Sequence, residues 1–164
     1  MSLLEVEKIK ATFAELGISP TYLEHEPVIT SEDAAKTRGF SLKQGIKAIV
    51  LTNGNGRWIL ANLPADKKVD IRKVAEAVSL SKKDLRMATP EEVLEITGCE
   101  VGSVPPFGHK TDLTIFVDKA VYDNEESAFN IGLRTHSVKA LTKDMKTVFS
   151  AVGALEGNFA KNLS

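Results

Sequence analysis

Apolar residues recur along this chain in two rhythms. Leu3, Val6, Ile9, Phe13 and Leu16 return every three or four residues, which predicts a helix with one apolar face, and Gly17 follows as its stop. Tyr22-Leu23-Glu24-His25 reads as a short strand, and Thr30-x-x-Asp33 has the form of a capping box that opens a short helix to about Gly39. Gly45-Ile46-Lys47-Ala48-Ile49-Val50-Leu51 is apolar on both sides of Lys47, the pattern of a strand buried on two faces. The stretch Thr52 to Arg57, with Asn53-Gly54, is a hairpin signal, and Trp58-Ile59-Leu60-Ala61 is the returning strand.

Farther along, Asp70 is placed to cap a helix through Ile71, Val74, Ala75 and Val78, and Leu85 to Ala88 is a brief strand. Thr89-Pro90-Glu91-Glu92 is the clearest helix start: a Thr cap, Pro at the first helical position, Glu at the third. Gly98 ends that helix and delivers the chain into Gly102-Ser103-Val104-Pro105-Pro106-Phe107-Gly108. Leu113 to Val117 predicts a strand ending at Asp118, with further strands near Ala128-Phe129-Asn130 and Ser137 to Ala140. Thr142 is placed to cap a last helix through Met145, Val148, Phe149 and Val152. Helices and hairpins are mingled without the regular alternation of a doubly wound sheet, so the fold class is α+β, with a mixed, largely antiparallel sheet and helices around it.

Composition narrows the function classes. At 164 residues, 43% hydrophobic and 26% charged, the chain reads as one globular domain over 1–164. The net charge of -1 argues against a protein that coats long duplexes and leaves room for a small basic mouth admitting one nucleic-acid end. DNA is not an expected partner. Cys99 is alone and His25, His109 and His136 are scattered, so neither a disulfide framework nor a thiolate or histidine metal centre is expected, and no cofactor is implied. With no secretory leader pattern and no apolar run near the ~18–20 residues of a membrane span, a cytoplasmic location away from membranes is expected.

Two features could carry chemistry. An unpaired ammonium is too costly to bury, so Lys47 either snorkels to water along its stem or fixes a phosphate or carboxylate in a cleft. The Gly102–Gly108 loop either turns a corner through its stiff Pro-Pro pair or presents backbone amides to an oxyanion or a water, its glycines permitting close approach. Asn130, Gly132 and His136 form a second small group. There His136 reads as a base, as a donor to a ligand hydroxyl, or as a structural residue, and Gly132 as a bulge. Glu91-Glu92 fits a helix first turn and Glu125-Glu126 a solvated loop better than an acid/base pair. No serine elbow, phosphate loop or Cys-His pair is present.

Taken in order, Tyr22-x-x-His25, Thr30 to Ala35, Gly45 to Leu51, Gly102 to Gly108, Asp118 and Phe129-Asn130-Ile131-Gly132 resemble the family of YbaK proteins and the editing insertion domain of bacterial prolyl-tRNA synthetases. The resemblance runs from about Tyr22 to Met145, leaving 1–20 and 145–164 as peripheral segments. It implies that family's curved sheet and hydrolysis of the ester of a mischarged aminoacyl-tRNA, probed at its acceptor end. Lys47 would hold the phosphate of the terminal adenosine, and Gly102 and Gly108 would bracket the catalytic loop. Tyr22, His25, Thr30, Ser103, Val104, Pro105, Pro106, Phe107, Asn130, Gly132 and His136 would line the substrate. The tRNA's own terminal ribose hydroxyl would help orient the water, with no metal or cofactor. Lacking a recognisable synthetase core, the chain is expected to act in trans on tRNA, with a synthetase as a further partner. The expected tRNA is tRNA(Pro) or a similar one, bearing a small wrong residue such as alanine or cysteine. The rival reading is a non-catalytic module that binds a tRNA end or nucleotide and docks on a synthetase; a third is a hydrolase of small esters.

Overall fold

The computed structural model describes residues 3–27, 36, 39–109, 111 and 113–162. Thr30, and with it the helix start expected at Thr30 to Asp33, lies outside the described residues. Four helices are described: α1 (Leu3–Glu15), α2 (Ile71–Ala77), α3 (Pro90–Thr97) and α4 (Thr142–Ala151). The strands are β1 (Thr21–Glu24), β2 (Ile46–Thr52), β3 (Trp58–Pro64), β4 (Lys67–Val69), β5 (Arg86–Met87), β6 (Thr114–Asp118), β7 (Glu126–Asn130), β8 (His136–Leu141), β9 (Leu155–Gly157) and β10 (Ala160–Asn162).

The strongest start signal folds as expected. Thr89 accepts from the Glu92 amide at 3.2 Å while the Glu92 carboxylate takes the Thr89 amide at 2.9 Å, and Gly98 closes α3 in the left-handed region. At α4 the cap position falls on Leu141 instead of Thr142, because the Thr142 hydroxyl is engaged at 2.7 Å with Ser127 across the fold. Glu126 is not loop but the first residue of β7.

Three sheets are formed, ordered β1-β8-β7, β5-β2-β3-β6-β9 and β10-β4. The expected largely antiparallel, mixed arrangement holds: the pairings are antiparallel except β3 with β6 and β6 with β9. Among the described residues a single parallel bridge, Gly45 to Ala128, joins the first two sheets.

One face of this joined surface carries Ile46, Val117, Phe129 and Val138, and α1 and α4 cover it with Val6, Ile9, Phe13, Met145, Val148 and Phe149. The same face, farther along, packs Val50 and Leu60 against Val93, Cys99 and Val104. On the opposite face, α2 covers Leu51, Ile59, Ala61, Leu63 and Phe116, with Phe159 reaching in from the C-terminal segment. The segments expected to be peripheral therefore take part in the core: Ile9, Phe13, Met145 and Val148 are fully buried. Asp118 ties the C-terminal segment in, accepting from the amides of Phe159 (2.6 Å) and Ala160 (2.7 Å), a structural role. No described helix is long and apolar enough to cross a membrane.

Candidate active site

Lys47 projects from β2 on a face that register defines. In an antiparallel pair directly opposite residues share a face, so Lys47 lies with Leu63, and Ala48 with Asn62 on the other side. Partners in the Gly45–Ala128 bridge also point the same way, and alternate residues repeat the direction. Lys47, Gly45, Ala128 and Asn130 therefore occupy one face, as do Ser137 (paired with Asn130) and Lys139 (paired with Ala128). Beyond the bridge β2 and β7 form no further ladder, and Lys47 and Asn130 stand one on each side of that parting.

The ammonium of Lys47 is half-buried, and burial lowers its pKa, with Asp66 at the end of β3 acting in the opposite direction. Among the described residues it makes no ion pair. A cation held this way is a ready partner for an incoming anion.

The Gly102–Gly108 loop crosses β2 by being tied to both neighbours. Asn130 on β7 donates from Nδ2 to the Gly102 carbonyl, and Asn62 on β3 donates from Nδ2 to the Pro106 carbonyl at 3.1 Å. The Gly132 amide takes the Ser103 carbonyl (3.1 Å), and His109 Nε2 donates to the Pro105 carbonyl at 2.6 Å. Arg134 pins the approach, donating to the Val101 carbonyl at 2.7 Å and pairing with Glu100 at 2.9 Å. The carbonyls of Gly102, Ser103, Pro105 and Pro106 are thus spent on the scaffold, whereas among the described residues the amides of Gly102 and Val104 donate to no protein acceptor. A loop with its carbonyls fixed and amides unspent suits a developing negative charge.

His25 enters through Ser137. Its Nε2 lies 2.8 Å from Ser137 Oγ, its Nδ1 donates to the Glu26 carbonyl at 2.8 Å, and Ser137 Oγ lies 3.3 Å from Asn130 Oδ1. This chain of polar groups ends at the Gly102 carbonyl. Gly102, Asn130 and His25 are therefore linked, and register sets Lys47 on the same sheet face as Asn130, whereas Val104 packs on the other face against Val50 and Leu60.

Other expected site residues fall elsewhere. Tyr22 pairs with Val138 and faces α1, its ring edge-on to Phe13 at 6.5 Å. His136 is turned to the same side, opposite to Ser137, where it meets Thr135 Oγ1 at 2.7 Å and Glu24 at 3.7 Å. Phe107 is core, in edge contact with Phe13 (5.7 Å) and Phe129 (6.2 Å). Pro105 and Pro106 serve through their anchored carbonyls. Gly108 and Gly132 are required by close packing: a Cβ would meet Ile9 Cγ1 at 3.0 Å in the first case and Glu5 Cβ at 3.0 Å in the second, and both hold positive φ.

Three residues with a part here were missed in the sequence. Ser137 sits in an alternating strand and looks like a surface position, and Asp66 looks like ordinary turn polarity. Asn62 carried a usable signal, a carboxamide inside the apolar run Trp58 to Pro64.

Comparison with known proteins decides the family. The profile described as "Aminoacyl-tRNA editing domain" matches residues 25–148. The chain belongs to the aminoacyl-tRNA editing domain family. Among its relatives is the multifunctional Ser/Thr-tRNA deacylase ProXp-y of Escherichia coli K12, 33% identical over 84% of each chain. A proline–tRNA ligase of Trichlorobacter lovleyi is 32% identical over 56% of this chain and 16% of the ligase. A crystal structure of a candidate trans-editing enzyme for prolyl-tRNA synthetase superposes with a TM-score of 0.80 at 25% identity, covering 96% of this chain and 98% of that one. The editing family expected from the sequence is thus confirmed, together with its α+β fold.

Proposed function

We propose that this editing-family protein hydrolyses the ester of mischarged aminoacyl-tRNA, acting in trans, at the parting of β2 and β7. The observation that carries the reading is the bridge from Gly45 to Ala128, which sets Lys47 and the Asn130–Gly102 pair on one face. Lys47 takes the phosphate of the terminal adenosine, a charge-assisted contact. The ester carbonyl then lies toward the unspent amides of Gly102 and Val104, which receive the negative charge as water adds to the carbonyl carbon. The neighbouring ribose hydroxyl orients that water. The bond to the ribose oxygen breaks, that oxygen takes up a proton, and free amino acid and tRNA leave.

For the amino acid, the polar set His25, Ser137 and Asn130 favours a small residue with its own hydroxyl. A site built to hydrogen-bond a hydroxyl discriminates strongly against analogues lacking it. The relative named as a Ser/Thr-tRNA deacylase supports the same choice and moves the expectation away from alanine or cysteine. Its match over 84% of its length supports action outside a synthetase.

The test is amino-acid release under single-turnover conditions from tRNAs mischarged with serine, threonine, alanine and cysteine. The expected outcome is rapid release of serine or threonine, lost by at least about 100-fold in Lys47→Ala with unchanged thermal unfolding. Tight binding across the panel without release would instead favour a non-catalytic tRNA-end module.

A further inference from the structure

We infer that Lys139, held against Phe40, is a second phosphate contact that reads the acceptor strand one nucleotide before the terminal adenosine. The inference rests on the editing reading above and extends its site along the same sheet face.

Lys139 pairs with Ala128, and Ala128 bridges Gly45, so the three stand side by side across β8, β7 and the residue that leads into β2. Neighbouring strands are about 4.8 Å apart, which puts the Cα of Lys139 about 10 Å from that of Gly45. Lys47 follows two residues on from Gly45, on the same face. In the row between the two lysines stand a glycine and an alanine, both buried. Two lysine stems rooted this way can grip consecutive phosphates of one strand.

Lys139 is not a loosely solvated lysine. It is half-buried, and its ammonium lies 4.5 Å from the centroid of the Phe40 ring. Phe40 directly precedes Ser41, the cap of the 3-10 turn Leu42–Gln44, which is fixed by its own capping box and leads into Gly45. The ring therefore steadies the cation and adds an aromatic face to a cationic groove. A single strand is held by this combination: charge for the backbone, a ring for a base, little sequence preference.

The assignment separates two substrates. A full aminoacyl-tRNA offers both phosphates, whereas the short ester seryl-adenosine 5′-phosphate offers only the one given to Lys47. In Lys139→Ala, KM for seryl-tRNA should rise about tenfold or more with kcat changed less than about twofold. The slope of log(kcat/KM) against log salt should flatten by about 0.7, the release expected for one phosphate of a single strand. The short ester should be cleaved as by the wild type, and Lys139→Arg should recover most of the tRNA KM. An unchanged KM and slope in Lys139→Ala would overturn the inference, and so would an equal loss on both substrates. If the wild type cleaves neither ester, the hydrolytic reading fails on its own. Binding of an acceptor-stem hairpin, followed by fluorescence anisotropy, then decides the contact. A salt slope that flattens in Lys139→Ala supports it, and an unchanged slope or no binding at all rejects it.

Discussion

If Lys47 holds the substrate phosphate, its ammonium must stay charged in a place that favours its neutral form. Burial lowers its pKa, and the nearby Asp66 carboxylate opposes the fall. If the charged form binds the substrate phosphate, activity holds while Lys47 is protonated and declines as pH rises through its pKa. Removing the Asp66 charge takes away a group that favours the cation, so the pKa falls further. In Asp66→Asn the alkaline limb of kcat/KM, corrected for spontaneous ester hydrolysis, should therefore move to lower pH, with the plateau at lower pH little changed. A limb that stays in place would separate Asp66 from Lys47. The oddity of a lysine in an apolar strand was legible in the sequence; its moderating carboxylate was not, because Asp66 looks like any turn residue.

At the scale of elements, the loop is held by what surrounds it. Ile9 of α1 lies against Gly108, Lys8 Nζ donates to the His109 carbonyl at 3.1 Å, and His109 fixes the Pro105 carbonyl. The helix start at Thr89 and the stop at Gly98 were readable because capping and left-handed termination are local. The buttressing by α1 was not readable, since it depends on contacts made only after the helix docks, and α1 lies outside residues 25–148 matched by the family. The strands β9 and β10 were likewise missed, being three residues each and mostly polar.

His109 gives this buttress a pH signature. It is 8% exposed, and burial, partly opposed by its bond to Pro105, holds its pKa down from 6.5 to about 4. Between those two values the unfolded chain binds the proton and the native state does not, so stability falls as pH drops across that window. The loss attributable to this residue reaches about 3 kcal/mol near pH 4. His109→Gln keeps a donor for Pro105 but cannot titrate. The difference in urea midpoint between wild type and variant should therefore shift in favour of the variant between pH 7 and pH 4.5. A difference constant over that range would remove His109 from the acid sensitivity.

Across the whole molecule, the proposed site lies where two sheets share a bridge and then part. Sequence could single out Lys47 and the glycine-proline loop as unusual, and it pointed to the family to which the chain belongs. It could not place Tyr22 and His136 on the far face, because a one-residue offset in a strand reverses the side on which a residue stands, nor Phe107 in the core, which depends on its contacts with the distant Phe13 and Phe129. Nor could it show that Asn130 and Asn62 tie the loop across β2, since those contacts join segments distant in the chain. The most direct test of the convergence is a crystal structure with a non-cleavable amide analogue of seryl-adenosine 5′-phosphate. The phosphate should lie within about 3 Å of Lys47 Nζ, with the carbonyl oxygen turned to the Gly102 and Val104 amides. An analogue bound with its phosphate away from Lys47, or seated on the Tyr22 and His136 face, would contradict the account.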